Sequence, residues 1–192
     1  MNETYIQDKT FDTKDFTKEH LAKGDYDSCI FNNCNFYEFD LSGFIFIDCE
    51  FNGCNISLVK LEKTALRDVK FKDCKMLGLR FETCAEFGVS FSFDNCQLNH
   101  SSFHEMKIKK TAFKNCRLHE VDFSDCDLTS AVFDNCDLTR AIFENTIIEK
   151  ADFRTAYNYS IDLEINKVKK AKFSLAGVAG LLEKYDIEIE NT

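Results

Sequence analysis

The chain contains no proline and no tryptophan, and only 7 glycines, in 192 residues. A complete lack of proline argues against a loop-rich fold, because turns ordinarily draw on it. No apolar run approaches the ~18 residues needed to cross a bilayer. The first residues, Met1 to Lys9, carry neither a basic stretch nor an apolar one, so no secretory signal is expected. Catalytic signatures are missing as well. There is no glycine-rich phosphate loop, no H-E-x-x-H and no nucleophile beside a partnered base. Positive charge is in deficit: 24 Lys and Arg stand against 33 Asp and Glu, for a formal net charge of −9. Such a chain is a poor ligand for nucleic-acid phosphates.

Two residue types are in excess. There are 20 Phe and 10 Cys. Ten cysteines without a leader point to reduced thiols in the cytoplasm rather than a disulfide frame. The hydrophobic fraction of 44% can still build a core.

The excess has a periodic origin. Every fifth residue is large and apolar from Phe11 through Phe16, Leu21, Tyr26 and Phe31 to Phe81, 15 positions without a miss. The frame slips by two and resumes at Phe93, running through Leu98, Phe103 and Ile108 to Phe153, 13 more. A period of five fits neither a helix nor a strand. With the large residue called i, position i−2 is also distinctive: it holds Cys29, Cys34, Cys49, Cys54, Cys74, Cys96, Cys116, Cys126 and Cys136, and Ala131, Ala141, Ala151, Ser101, Thr64, Thr111, Thr146 and Gly24 fill others. Cys84 joins them if the first frame is extended one step. One large and one small inward residue per five describe a chain that turns a corner every pentapeptide, so four corners close a 20-residue coil. Phe93, Phe113, Phe133 and Phe153 repeat at that longer period, so like stacks on like between coils. The 28 pentads make seven coils, a rod of roughly 34 Å at strand spacing.

Segments such as Ala131-Val132-Phe133-Asp134-Asn135 and Cys136-Asp137-Leu138-Thr139-Arg140 resemble the A(D/N)LXX motif of pentapeptide-repeat proteins. The resemblance covers about residues 9–157. It implies an all-β solenoid, a right-handed quadrilateral β-helix, over residues 1–157, with a frame break at 82–92. The break reads as a bulge absorbed at Gly88 or as a protruding contact loop. Residues 158–192 form a C-terminal cap and dimerisation segment, whose helix either covers the open end of its own rod or meets a second copy. There a short helix is expected, with Ser174 as its N-cap. It carries Leu175, Val178, Leu181, Leu182 and Tyr185 at helical spacing, and an alternating strand follows at Asp186–Glu190.

The tail, with Glu164-Ile165-Asn166-Lys167 and Phe173-Ser174-Leu175 through Ile187-Glu188-Ile189, resembles the C-terminus of the subgroup holding Qnr-type quinolone-resistance proteins and microcin-immunity proteins. That resemblance implies a homodimer formed through Phe173, Leu175, Val178, Leu181, Leu182 and Tyr185. It also implies a non-enzymatic rod that acts on DNA gyrase and topoisomerase IV by mimicking duplex DNA. The two projecting loops of the Qnr type are missing here, so the compact microcin-immunity type is the nearer formal match. The contact candidates are the densest acids: Asp122, Asp125, Asp127, Asp134, Asp137 and Glu144, with Glu120 among them in sequence. Real DNA of ~34 Å carries about 20 charges, more than twice what this chain offers. The alternative is a generic protein-interaction scaffold with an unrelated partner.

No cofactor, metal or membrane partner is expected. The Cys29/Cys34 and Cys49/Cys54 pairs share the repeat's own spacing, which turns each thiol onto a different wall. Buried thiols serving as small apolar filler explain all ten, where structural zinc would need four converging ligands.

Overall fold

The protein is described by a computed structural model covering residues 4–190. The chain winds as a four-walled coil whose rungs are parallel. On wall one, β1 (Thr4–Gln7), β3 (Gly24–Asp27), β5 (Ile45–Ile47) and β7 (Ala65–Arg67) stack in order. Wall two stacks β2 (Thr10–Asp12), β4 (Ile30–Asn32), β6 (Glu50–Asn52), β8 (Val69–Lys72), β9 (Phe91–Asp94), β10 (Ala112–Lys114) and β11 (Val132–Asp134). Single rungs build the rest. Asp15, Asn35, Asn55, Lys75, Gln97, Arg117, Asp137 and Tyr157 make wall three, and Arg80, Ser102, Asp122 and Ile142 lie on wall four. The register is 20 residues, as in Phe11 with Phe31 and Phe31 with Phe51. It becomes 22 across the break, where Phe71 pairs with Phe93.

The core is the expected double ladder. Phe113, Phe123, Phe133 and Phe153 are fully buried. Their rings stack along each wall, Phe93 on Phe113 at 5.2 Å and Phe113 on Phe133 at 5.0 Å. Rings meet edge-to-face across the corners, Phe123 on Phe133 at 5.8 Å and 83°. Both arrangements suit the aromatic quadrupole, and each buried ring contributes about 1.5–3 kcal/mol. All ten thiols are free and buried. They do more than fill space: Cys54 Sγ donates to Phe31 O at 3.2 Å and Cys136 Sγ to Phe113 O at 3.3 Å. Thr64 and Thr146 hydroxyls make the same bond, to Leu41 O at 2.8 Å and Phe123 O at 2.9 Å. Where position i−2 is Cys or Thr, its side chain can thus donate backwards to the coil before it; other pentads place Ala, Val or Phe there, as at Ala131, Val121 and Phe44.

The corners account for the missing proline. Position i+2 takes a left-handed backbone nearly everywhere, with φ 56° at Asp125, 52° at Asn135 and 70° at Gly43. Proline cannot adopt that φ. The N–H groups at i−1, i and i+2 are also committed to neighbouring coils, as in Asp127 N to Met106 O, Leu128 N to Ile147 O and Ser130 N to Glu149 O. Asn and Asp tolerate the left-handed region better than most residues, which enriches them at the corners.

The ladder runs past 157 on two walls, through Ile147 to Lys167 and Asp152 to Lys172. Phe173 stacks on Phe153 at 5.3 Å. Beyond it the helical segment is broken into a 3-10 turn at Leu175–Gly177, α1 at Ala179–Leu182, and a second 3-10 turn at Glu183–Tyr185. Ser174 is the N-cap, its hydroxyl accepting from Gly177 N at 3.2 Å. The expected strand at Asp186–Glu190 does not form. Among the described residues no strand lies beside it to pair with, and an unpaired strand is not stable.

Candidate interaction surface

The six acidic candidates lie on all four walls, so the fold does not gather them into one face. Asp122, Asp125 and Glu144 flank Phe123 and Phe143 on wall four, Asp127 is on wall one, Asp134 on wall two and Asp137 on wall three. Three of them build corners. Asp122, Asp127 and Asp137 each accept the N–H two residues on, from Ser124 at 2.8 Å and from Thr129 and Thr139 at 3.1 Å. These are Asx turns. Asp134 accepts the Thr155 hydroxyl at 2.9 Å. Asp127 also pairs with Lys109 at 3.0 Å, and Asp137 with His119 Nε2 at 2.8 Å. Partial burial pushes the Asp137 carboxyl up, but hydrogen bonds from Thr139, Asn158 and His119 outweigh it and hold it at about 2. Burial likewise raises Asp127, and the Thr129 and Lys109 bonds reverse the sign. Among the described residues only Asp125 and Glu144 of the six enter no side-chain hydrogen bond or ion pair, and both are exposed on wall four.

The sequence pattern held the clue to this division. An acid at i−1 followed by Ser or Thr at i+1 is a turn former, whereas acids at i+1 or i+2, such as Glu144 and Asp125, make no such turn bond, although Asp134 at i+1 accepts the Thr155 hydroxyl. Glu62, Glu82 and Glu105 also lie at i+1 or i+2 on wall four, where Glu62 accepts the Ser42 hydroxyl, Glu82 is paired with Arg80 and Glu105 lies 3.7 Å from His104, and a search for the densest acidic stretch does not find them. On wall one the early coils are mostly acidic, with Asp25, Asp27, Asp48 and Asp68 beside Arg67, and the later coils are mostly basic, with Lys107, Lys109, Lys150 and Lys169 beside Asp127 and Glu149.

The dimerisation candidates also divide. Phe173 and Leu181 pack against the chain's own core. Val178 and Leu182 are half-buried, while Leu175 is 91% exposed and Tyr185 is 52% exposed. The tail is stitched to the last coil by Ile161 N to Gly180 O at 2.9 Å. Lys184 adds ion pairs to Asp162 at 2.6 Å and Glu164 at 2.8 Å. A side chain at Gly180 would run into the Tyr159 carbonyl, so the tail seats closely on the rod. Leu175, Tyr185, Ile187 and Ile189 remain as an exposed apolar set at that end.

The break supplies a further feature. Residues 85–90 bulge from wall one. Ala85 N bonds Thr64 O and Ser90 N bonds Leu66 O, both at 2.9 Å, and Gly88 takes φ 74°. Phe87 points outward, 83% exposed, with the Arg67 guanidinium 5.7 Å from its ring. A groove of about 610 Å³ opens beside it. Sequence periodicity marks Phe87 only as the phenylalanine that no frame explains. Among the described residues no cluster of His, Cys, Asp or Glu could hold a metal ion, and no helix is long and apolar enough to cross a membrane.

A parallel solenoid with two inward residues per pentad defines a class, the quadrilateral β-helices. The "Pentapeptide repeat region" family model matches residues 24–92 and 79–153, and the chain belongs to that family. No curated protein sequence matches it. Among solved structures it is similar to a trypsin-treated variant of QnrB1, described as a plasmid-mediated fluoroquinolone resistance protein. The TM-score is 0.76 at 15% identity, over 98% of this chain and 92% of that one. A second trypsin-treated QnrB1 variant matches with TM-score 0.62 at 14% identity, covering 98% of each chain. At such identities the likeness establishes the fold.

Proposed function

We propose that this protein is a non-enzymatic binding rod that engages a type II topoisomerase, DNA gyrase or topoisomerase IV, and modulates inhibitors of the quinolone or microcin type. The observation that carries this reading is the coverage of the likeness to QnrB1, which extends over 98% of the chain and so includes the tail segment. An exposed acidic strip on wall four supplies the contact, with Asp125 and Glu144 as its free carboxylates. The interior is filled by stacked side chains, and the gap between Leu41, Phe46, Phe51, Ile56 and Leu66 is only about 10 Å³.

The test is a supercoiling assay with purified gyrase, run with a fluoroquinolone and separately with a peptide microcin. The protein is expected to relieve inhibition or to alter supercoiling directly. Failure to bind gyrase, with supercoiling unchanged under all conditions, overturns the reading. Asp125→Lys with Glu144→Lys should remove the contact; Asp125 is a corner residue, but lysine already takes the same left-handed position at Lys110 and Lys150. Asp127 and Asp134 serve that purpose poorly, because both are hydrogen-bonded on other walls.

The same reading includes a two-fold dimer through the exposed apolar end. Leu175→Glu is expected to give a monomer by light scattering, and an unchanged dimer mass would remove that interface. Leu181 is a weaker probe because it is packed in the chain's own core.

The generic scaffold reading is favoured by one observation, the spread of the six acids over four walls. Charge spread in this way suits a protein partner with its own mixed surface better than it imitates a duplex. Capture of a non-topoisomerase partner from host extract by the wild type, lost with Asp125→Lys/Glu144→Lys, would support it.

A further inference from the structure

Wall one is a repeated rung everywhere except at the break. Below it each i−1 residue uses both main-chain groups upwards. Asp127 N bonds Met106 O at 2.8 Å, and Asp127 O accepts from Ile108 N at 3.0 Å. Ile147 repeats this with Cys126 O at 2.9 Å and Leu128 N at 2.8 Å, and Lys167 with Thr146 O at 3.0 Å and Ile148 N at 2.9 Å. Lys107 is the equivalent residue one coil higher. It faces the bulge, and no main-chain hydrogen bond among the described residues joins 84–90 to 104–110. The N–H and C=O of Lys107 therefore form an open edge inside an otherwise closed ladder.

The groove lies at that edge. Cys84, Val89 and Met106 form its apolar floor, and Phe87 stands on its rim. Three carboxylates line it, Glu82, Glu86 and Glu105, with Lys107 and the His104 ring; the Arg67 guanidinium lies against the Phe87 ring and that of Arg80 is taken up by Glu82, which leaves Glu86 and Glu105 as the exposed acids of the lining. Glu82 Oε1 is held by Arg80 at 3.0 Å, while its buried Oε2 has no partner. An open strand edge is a template for an added strand. A buried carboxylate oxygen without a donor is costly, and a ligand that supplies one is favoured.

The geometry points to a docking slot for an extended, basic peptide segment of a partner protein, which completes the missing rung of wall one by pairing with the backbone of Lys107. The segment would run parallel to the coils, as every other rung does. Alternate side chains of an added strand point to opposite faces. One face would set an apolar side chain on Cys84, Val89 and Met106, and the neighbouring Arg or Lys residues would meet Glu82, Glu86 and Glu105. Charge complementarity selects a cationic occupant over a second copy of this acidic chain. The slot does not depend on the partner being a topoisomerase. A protein inactive in the gyrase assay can still bind the peptide, and an active one can fail to.

The experiment uses the full-length protein and an acetylated, amidated Arg-Val-Arg-Val-Arg-Val peptide, followed by amide NMR and hydrogen exchange. Without peptide the Lys107 amide is expected to exchange at least tenfold faster than that of Asp127. Peptide should shift the amides of Phe87, Val89 and Lys107 and slow Lys107 exchange at least tenfold. The counterpart with Glu in place of Arg should bind at least tenfold more weakly. Deleting Glu86 and Gly88 leaves Cys84-Ala85-Phe87-Val89-Ser90, a regular pentad, and should close the slot and abolish binding. Should that deletion not fold, Glu86→Lys with Glu105→Lys alters only two exposed side chains and should weaken binding at least tenfold. Lys107 unmoved at millimolar peptide, equal binding of the acidic peptide, or binding retained in the folded deletion or in the double Lys variant each overturns the slot.

Discussion

The junction between the coils at 104–110 and 124–130 and the junction one coil earlier, against 84–90, lie on the same wall and differ by two inserted residues. In the first, Asp127 is bonded upwards through both main-chain groups and Ile108 and Leu128 are fully buried beneath it. In the second the ladder is open, and the phenylalanine of the pentad stands in solvent. The difference teaches that one frame slip suffices to turn a structural position into an exposed one. Every pentad tolerates variation at i+1 and i+2, but an insertion cancels the inward position itself. Its apolar residue then becomes a surface residue without any change in chemistry.

The largest expected effect separates the two phenylalanines. Phe123 is fully buried between Phe103 and Phe143, at 5.3 and 5.2 Å. Phe123→Ala should destabilise by about 3–5 kcal/mol, the usual cost of an emptied aromatic site. Phe87→Ala removes an exposed ring and should stay within about 0.5 kcal/mol. Chemical denaturation of both variants measures the contrast. Equal losses would mean that the bulge is part of the core, and the comparison between the two junctions would collapse.

A smaller effect of opposite sign comes from repairing the slip. Deleting Glu86 and Gly88 returns Phe87 to an inward position between Leu66 and Ile108. Burial of one aromatic side chain contributes about 1.5–3 kcal/mol. Some of that gain offsets repacking around Val89, since inserting volume into a formed core is itself costly. A net rise of about 1–2 kcal/mol is expected, read as an increased denaturation midpoint at unchanged slope. A destabilised but folded variant would show that the bulge relieves strain elsewhere in the coil.

The rod was legible from sequence because its signal is redundant. Phe31, Phe51, Phe71 and their successors specify one position many times over, and the stack forms as the period requires. The role of the cysteines was half legible. Their size showed, but donation to the carbonyl of the coil before, shared by Thr64 and Thr146, follows only from the closed coil. The surface was less legible. Asp122, Asp127 and Asp137 read as a negative patch along the chain, yet consecutive pentads face different walls. A linear cluster is therefore dispersed around the rod, and stretches 20 residues apart are brought together. Phe87 and Glu82 escaped for the same reason, since their neighbours Met106 and Glu105 lie one coil away. The tail was legible in its N-cap and apolar residues. The seating of Gly177 and Gly180 on Tyr159 depends on a contact that no local pattern encodes.

The smallest effect concerns the acids, and it tests whether corner carboxylates differ in kind from free ones. Asp137 is held at about 2 by Thr139, Asn158 and His119, below the ordinary value of 3.8 that it regains on unfolding. A depressed carboxyl contributes stability that is fully present above the unfolded value. That stability is lost as pH falls from about 4 towards 2. Asp137→Asn keeps an oxygen for the Thr139 N–H and gives up the charge-assisted bond to His119. It should therefore cost about 1 kcal/mol at pH 7, and the difference from wild type should close as pH approaches 2. Asp125→Asn removes a carboxylate with no such bonds and should change stability by less than about 0.5 kcal/mol at either pH. Denaturation midpoints at pH 7, 4 and 2.5 measure both. A pH-dependent loss for Asp125→Asn equal to that for Asp137→Asn would show that the two acids do the same structural job, and would leave wall four without its distinct pair of partner-facing carboxylates.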